Sequence, residues 1–334
     1  MKQRTHTWLA IRAIALLEDA GETPGLVKIL KPHVKESAIG SWIPDLADSK
    51  KGSGDIDYHI FKMKPFNGAQ KQRFVTNKAK LFQQIGSDRK VKGFIQKWGS
   101  SLESTWWDAP YKAEPRPGEH LANRSMALTT AIADQLILGD PDVARLVPGS
   151  VRFASKLASE ARTRKAEVAT YFFMLSHFLA DSCQPCHCDA RTAFGYSNGL
   201  HKEMESHWNK IIGTYFEKKK LFENTDSAKT VLQKARDIDT KFSITFANTI
   251  PDLGNNIDAW LEIVRVCRAS FAVASILVPP AVIPYGNRSH TSFETVFEDT
   301  NVDPSFLTDC DEMIMHDAVL NIAIIWKSIW QKFS

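Results

Sequence analysis

The strongest constraint on the fold is a run of apolar residues at helical spacing between Glu167 and Ala180. Its apolar positions recur every three or four residues, which places them in one stripe along a helix: Val168, Tyr171, Phe172, Leu175 and Leu179. Pro185 follows closely, and proline cannot continue a helix because it lacks the backbone N–H donor. The segment therefore predicts a buried helix that ends before Pro185.

Helical patterns of this kind recur along the chain, whereas no segment shows the strong alternation that is typical of strands. In the first of them, Thr5 is a candidate N-cap and Gly21 a candidate C-cap. Further helices are predicted at about 121–138, 151–180, 200–220, 226–247, 256–278 and 311–332. We expect an all-α protein with one domain over residues 1–334 and an inserted segment at about 65–160 that contains proline and tryptophan.

The composition is that of an ordinary soluble globular protein, with 43% hydrophobic and 24% charged residues. A formal net charge of +4 permits an anionic partner but does not specify one. Arg12 interrupts the apolar stretch near the amino terminus and no small-residue cleavage site follows, which favours a helix over a signal peptide. We therefore expect a cytoplasmic location; a secreted protein stays open if a leader is missing from the printed chain.

The most apolar segment, residues 269–285, is broken by Pro279 and Pro280. Its unbroken part is too short for a bilayer, which needs about 20 residues. It predicts a buried helix that ends in a proline-rich turn, and no transmembrane segment.

Five cysteines form an odd set, three of them crowded together as Cys183, Cys186 and Cys188. This distribution does not resemble a secreted disulfide framework and favours a reducing compartment. Their C-x2-C-x-C spacing would suit a thiolate metal site, but buried thiols without a metal are the favoured interpretation. The neighbouring Asp189 is expected to cap a helix or face solvent.

Two histidine–carboxylate pairs stand at the spacing of one helical turn. His177 and Asp181 are four residues apart, and so are His201 and Glu205, so each pair lies on one helix face. His187 lies between the pairs, where the connection could bring its imidazole to either. An imidazole beside a carboxylate is a ligand combination that zinc accepts. One pair alone would usually be an ordinary ion pair, but two pairs joined by a third histidine indicate a metal site.

The order of these residues resembles a known superfamily, the zinc-dependent phospholipases C and the S1/P1-type single-strand nucleases. The matching segments are His6 in THTWLAIRAIALL, Asp45 and His59 fourteen residues apart, HFLADSCQPCH from His177 to His187, and HKEME with His201 and Glu205. The fourteen residues from His187 to His201, and a glutamate at position 205, resemble the phospholipase branch. The resemblance covers the ligand-bearing segments and their helices, and not residues 65–160.

The resemblance implies an all-α fold and a cluster of two or three zinc ions. One ion would be held by Asp45, His59, His177 and Asp181, and a second by His187, His201 and Glu205. A third would be held by His6, by Asp181 as a bridge, and by the amine and carbonyl of Met1, where the family has a tryptophan exposed by removal of a leader. Asp45 would also orient or deprotonate the attacking water, which makes it the candidate catalytic residue.

The implied reaction is hydrolysis of a phosphodiester by metal-activated water. A phospholipid head group is the favoured substrate, with peripheral contact to a membrane. Single-stranded nucleic acid is the alternative, for which basic residues within 62–97 would suit a phosphate backbone. A non-catalytic zinc-binding interaction protein also stays open, because metal binding contributes directly to folding.

Overall fold

The protein is all-α, as its apolar periodicity predicts. In the computed structural model, 80% of the described residues are helical and almost none lie in strands. The described residues are 1–45, 59, 61, 121–138, 151–189, 199–253, 259–278, 292–300 and 305–334.

Twelve α-helices are assigned within these ranges, and we number them in chain order. They are α1 (Gln3–Ala20), α2 (Pro24–Leu30), α3 (Ser37–Gly40), α4 (Leu121–Leu138), α5 (Val151–Ser182), α6 (Pro185–Cys188), α7 (Gly199–Ile212), α8 (Lys218–Glu223), α9 (Ala228–Asp237), α10 (Ala259–Leu277), α11 (Phe293–Thr300) and α12 (Ser305–Phe333). Short 3-10 turns follow α2 at Lys31–His33 and α9 at Asp239–Phe242.

Helix α1 is buried from Thr5 to Leu17 and ends where the sequence predicts. Gly21 has a φ of 67° and its N–H donates to the carbonyl of Leu17, which is the left-handed C-cap that glycine favours. The prediction that Thr5 caps the amino end is wrong. The helix begins at Gln3, and the buried Thr5 hydroxyl donates to Asn209 on α7 instead. A tertiary contact therefore replaces the local cap.

The buried core forms one continuous cluster around α1. Helix α1 packs against α5, α7, α9 and α12, and its buried face carries Trp8, Leu9 and Ile11. Helix α12 is buried along most of its length, and α10 packs against the short α6. This packing fixes α5, α6 and α7 relative to the amino end of α1.

Most of the predicted insertion, apart from α4 and the first residues of α5, lies outside the described residues. Helix α4 packs on α5, α10 and α12 as part of the same core. The basic residues within 62–97 and the proline pair at 279–280 also lie outside the described ranges. None of the described helices is long and apolar enough to cross a membrane.

Candidate metal centre

Helices α5 and α7 each present one histidine–carboxylate pair in the core. His177 Nε2 lies 3.1 Å from Asp181 Oδ2 on α5, and His201 Nε2 lies 2.8 Å from Glu205 Oε1 on α7. All four residues are buried. The i, i+4 spacing in the sequence therefore produces the two contacts that it predicts.

His59 joins the pair on α5 to form the first donor set, and Asp45 lies beside it. His59 Nδ1 lies 2.8 Å from His177 Nε2 and 3.3 Å from Asp181 Oδ2. Asp45 Oδ1 lies 3.7 Å from Nε2 of each of these two histidines, so His59 presents a different nitrogen to Asp45 than to Asp181. Donor atoms of Asp45, His177 and His6 also lie within 4.8 Å of one another, so Asp45 reaches farther across the centre than the sequence predicts.

His187 joins the pair on α7 and completes the second donor set. The connection after Pro185 is the single helical turn α6, which carries His187 back towards α7. The Nε2 atoms of His187 and His201 are 3.1 Å apart, and His187 Nε2 is 3.7 Å from Glu205 Oε1. These three residues form a compact and buried group.

The amino end of α1 brings Met1 and His6 between the two donor sets. The Met1 amine lies 2.7 Å from Asp181 Oδ1 and 3.0 Å from Glu205 Oε1. His6 Nε2 lies 3.1 Å from the Met1 carbonyl oxygen and 3.5 Å from Asp181 Oδ1. The residues that the resemblance assigns to a third ion therefore lie together.

Asp181 is the centre of the arrangement because its two oxygens face different groups. Oδ2 faces His59 and His177, whereas Oδ1 faces the Met1 amine and His6. The side chain is only 1% exposed, so these neighbours replace water as its partners. A carboxylate in this position can bridge two cations.

Backbone carbonyls fix the orientation of two of the imidazoles. His177 Nδ1 lies 2.7 Å from the carbonyl oxygen of Ser41, and His187 Nδ1 lies 2.8 Å from the carbonyl oxygen of His59. A carbonyl oxygen only accepts, so each Nδ1 carries a proton and Nε2 is the nitrogen that faces the centre. Metal-binding histidines in proteins usually have such a partner on the other nitrogen.

The pKa shifts place these groups in the protonation states that a metal requires. Burial lowers the pKa of His187 to about 4, and burial together with the nearby His177 lowers that of His6 well below 6.5. Burial by itself raises the pKa of Asp181 and of Glu205, but the Met1 amine and the surrounding histidines hold both well below their ordinary values. At neutral pH the imidazoles of His6 and His187 are neutral and both carboxylates are ionised, as metal coordination needs.

The pKa values of two other groups at the centre, Asp45 and the Met1 amine, are raised instead of lowered. Burial raises the pKa of Asp45 above its ordinary value, against the effect of the neighbouring histidines. Burial favours loss of the proton from the Met1 amine, but the carboxylates of Asp181, Glu205 and Asp45 raise its pKa from 8.0 to about 11. The amine would have to release this proton in order to bind a metal.

The donor chemistry fits divalent metal ions. Three carboxylates face a single ammonium group, so the centre lacks positive charge, and an unbalanced buried charge is costly. A tetrahedral zinc ion with bonds of 2.0–2.1 Å separates its ligand atoms by roughly 3.3 Å. The separations among His59 Nδ1, His177 Nε2 and Asp181 Oδ2, and those within the second donor set, run from 2.8 to 3.7 Å and bracket that value. These buried groups could hold metal ions, and nitrogen and oxygen ligands of this kind suit zinc.

Sequence reasoning missed some neighbours of the centre and misplaced one. Nothing in the sequence identifies the Ser41 carbonyl, because any residue type could supply it. Phe178 stacks on His59 with ring centroids 5.5 Å apart, and the Gln184 amide is fully buried with no hydrogen-bond partner for either polar atom among the described residues. Of the two expectations for Asp189, exposure to solvent is wrong because the side chain is completely buried, whereas the residue does stand at the C-cap position of α6.

The cysteines are buried free thiols, as favoured from the sequence. Burial raises the pKa of Cys183, Cys267 and Cys310 well above 9.0, which keeps these thiols protonated. Among the described residues, no cysteine belongs to a group with metal-binding geometry.

No protein-family model, curated protein or solved structure matches this chain in comparisons with known proteins. The resemblance to the phospholipase C and S1/P1 nuclease superfamily therefore depends on the order and spacing of the candidate ligands in the sequence.

Proposed function

We propose that this protein is a zinc-dependent phosphodiesterase of the phospholipase C type. The observation that carries the proposal is the position of Asp181, whose two oxygens face separate groups of nitrogen and oxygen donors. A single structural metal would need only one such group. Several donor groups around a shared carboxylate are instead the arrangement expected of a multinuclear hydrolytic centre.

The bound ions would activate water and neutralise charge on a phosphodiester during in-line displacement. The residues of the chain would orient the reactants. Asp45 has the most exposed carboxylate of the centre, with 29% of its side chain accessible, whereas the side chains of Asp181 and Glu205 are 1% and 9% exposed. Asp45 can therefore accept a hydrogen bond from the attacking water and take up its proton. The products would be a phosphomonoester and an alcohol.

The buried residues would keep the donors fixed while the substrate enters. The Ser41 and His59 carbonyls hold the imidazoles of His177 and His187 in one tautomer and orientation. Glu205 in place of aspartate, together with the fourteen residues between His187 and His201, supports a phospholipid over a nucleic acid substrate by resemblance to the phospholipase branch.

The first experiment counts metal ions per chain by elemental mass spectrometry, on protein purified without chelator and then under zinc-replete conditions. We expect three zinc ions per chain if the Met1 amine binds, and two if it does not. Adding one residue before Met1 moves the amine away and should reduce a count of three to two. One ion or none in zinc-replete protein would contradict the proposed cluster.

The second experiment separates catalysis from metal-dependent stability. Asp45→Asn should keep most of the fold and lose turnover of phosphatidylcholine, by at least a hundredfold if Asp45 acts as general base. Asp134→Asn, which changes an exposed carboxylate on α4, is the matched control and should leave turnover unchanged. Parental turnover by Asp45→Asn would contradict the assigned role.

The same assay on single-stranded DNA tests the nuclease alternative. Cleavage of DNA without cleavage of phosphatidylcholine would favour the nuclease branch. Tightly bound zinc without turnover of either substrate would favour a non-catalytic zinc-binding protein.

A further inference from the structure

A basic surface with an exposed phenylalanine lies on helix α8. Lys218, Lys219 and Lys220 are all exposed, and Phe222 is 41% exposed, although Leu221 beside it is completely buried. Phe222 is one of three large apolar side chains that are exposed among the described residues. We call the three lysines, Phe222 and Ile39 of α3 the α8 patch.

The α8 patch has an apolar floor and a charged rim. An open cleft of about 570 Å³ is lined by Ile39, Lys218, Lys219, Phe222 and Glu223. Ile39 and Phe222 supply its apolar surface, and the lysines supply positive charge beside it.

The lysines of the patch have few strong intramolecular partners. Lys219 Nζ lies 3.8 Å from Glu223 Oε1, but the two side chains are 85% and 61% exposed, so this ion pair contributes little. Lys220 donates to the neutral hydroxyl of Thr214. The ammonium groups of both residues therefore remain available to an external anion.

The α8 patch lies beside the end of α1 that forms the metal centre. Gln3 of α1 donates to the carbonyl oxygens of Ala38 on α3 and of Phe216 just before α8, and Arg4 pairs with Glu217. Met1 and His6, on either side of these two residues, contact Asp181. In addition, α3 leads directly to Ser41, whose carbonyl holds His177.

This combination fits the surface of an anionic phospholipid bilayer better than it fits nucleic acid. Lysine side chains place their charge at the head groups while their aliphatic stems cover apolar surface. An exposed phenylalanine next to an aliphatic side chain suits the boundary between head groups and acyl chains. Proteins that bind single strands usually offer several aromatic platforms along a groove, whereas the α8 patch has only one aromatic ring.

We propose that the α8 patch docks the protein on membranes that contain anionic phospholipid, next to the metal centre. The choice of a phospholipid as partner rests on the proposed phospholipase C-like function. The contact is peripheral and reversible, because three lysines and one phenylalanine supply a modest attraction that salt weakens.

Vesicle binding by co-sedimentation tests the proposal. The zinc-loaded full chain, carrying Asp45→Asn in every variant so that lipid is not hydrolysed, is mixed with vesicles of phosphatidylcholine alone or with about a third phosphatidylglycerol at low salt. We expect binding to the anionic vesicles, with a partition coefficient that falls as salt rises. Equal and salt-independent partition to both vesicles would overturn the electrostatic part of the proposal.

Substitutions locate the binding surface. Lys218→Gln, Lys219→Gln and Lys220→Gln together should lower the partition coefficient on the order of a hundredfold, given about a fivefold effect for each lysine near the membrane. The matched control neutralises three exposed lysines elsewhere, Lys28, Lys165 and Lys229, and should change binding far less. Equal losses in the two triple variants would overturn the assignment to α8.

The apolar part of the patch is tested separately. Phe222→Ser should lower the partition coefficient by about tenfold, because it removes apolar surface that the interface buries. Met126→Ser, at a residue that is 43% exposed on α4, is its control. An equal effect of the two variants would show that Phe222 does not enter the interface.

Two further measurements separate this proposal from the proposed function. Turnover of soluble bis(p-nitrophenyl) phosphate by the zinc-loaded protein should be the same in the parent and in the triple lysine variant. Turnover without vesicle binding would overturn the docking proposal but not the phosphodiesterase proposal. Vesicle binding without turnover would overturn the phosphodiesterase proposal but not the docking proposal. Loss of single-stranded DNA binding in the triple variant, with vesicle binding unchanged, would assign the patch to nucleic acid and overturn docking on lipid.

Discussion

Gly40 at the end of α3 offers a test of how the fold positions the metal centre. A Cβ atom at residue 40 would lie 2.7 Å from the Cβ of Phe173 on α5, and a Cβ atom is too close to the backbone to move aside. Gly40→Ala must therefore push α3 away from α5. The next residue, Ser41, would move with α3, and its carbonyl would no longer lie 2.7 Å from His177 Nδ1.

The expected losses of stability and of zinc affinity in Gly40→Ala follow from the overlap between the new Cβ atom and Phe173. Overpacking of a buried contact costs typically about 1–3 kcal/mol, and replacement of a helical glycine by alanine returns about 0.5–1 kcal/mol. Gly40→Ala should therefore lower the free energy of unfolding by about 1–2 kcal/mol. Loss of the hydrogen bond that orients a metal-binding histidine should also weaken metal affinity by about 10–100-fold.

Gly25→Ala is the matched control. A Cβ atom at residue 25 would also lie 2.7 Å from a neighbour, but that neighbour is Cζ2 at the far edge of the Trp330 ring, which can tilt. We expect a loss of stability below about 1 kcal/mol. Metal affinity should not change, because Trp330 is not one of the residues around the centre.

Urea unfolding of metal-free protein measures the change in stability, and competition with a chromogenic zinc chelator measures affinity. Both variants and the parent are compared in both assays. If Gly40→Ala loses stability but binds zinc as tightly as the parent, the Ser41 carbonyl does not control His177 and the reasoning is refuted.

Two further predictions concern ion pairs away from the centre. Asp239→Asn should lower the free energy of unfolding in urea by about 3 kcal/mol, because it removes the carboxylate nearest to the buried Arg12 guanidinium and leaves the exposed Asp19 at 3.9 Å; a loss below 1 kcal/mol would contradict this. Partial burial raises the pKa of Glu18, but hydrogen bonds from Lys31 and Arg236 lower it further, so the net pKa lies below the ordinary 4.5. The stability that the ionised Glu18 contributes is therefore complete above pH 4.5 and is lost as the pH falls through the folded-state pKa. Between pH 5 and 3 the parent should lose stability more steeply than Glu18→Gln, and parallel slopes would count against this assignment.

The sequence by itself determines much of the helical framework. Apolar periodicity predicts an α-helix at residues 121–138, where α4 lies, and the long helix through Glu167–Ala180, which is part of α5. It also places His177 beside Asp181 and His201 beside Glu205, because residues four apart in a helix share a face whatever surrounds them. Gly21 ends α1 for a similarly local reason, since the left-handed conformation suits glycine.

Only the tertiary structure decides how the separate segments meet. Helix packing brings Met1 and His6 to Asp181 and brings Asp45 to His177, in each case across more than a hundred residues of chain, and no local pattern specifies those distances. The same packing buries Asp189.

The start of α1 shows why local signals fail at such points. Thr5 has the chemistry of an N-cap, but its hydroxyl bonds to Asn209 and the helix begins earlier, at Gln3. A cap contributes about 1 kcal/mol. The first six residues instead make several polar contacts at once, with α5, with α7 and with the segment just before α8. Local preferences decide the structure where no tertiary contact competes with them. Near the metal centre several tertiary contacts act on the same residues, and those contacts decide the structure.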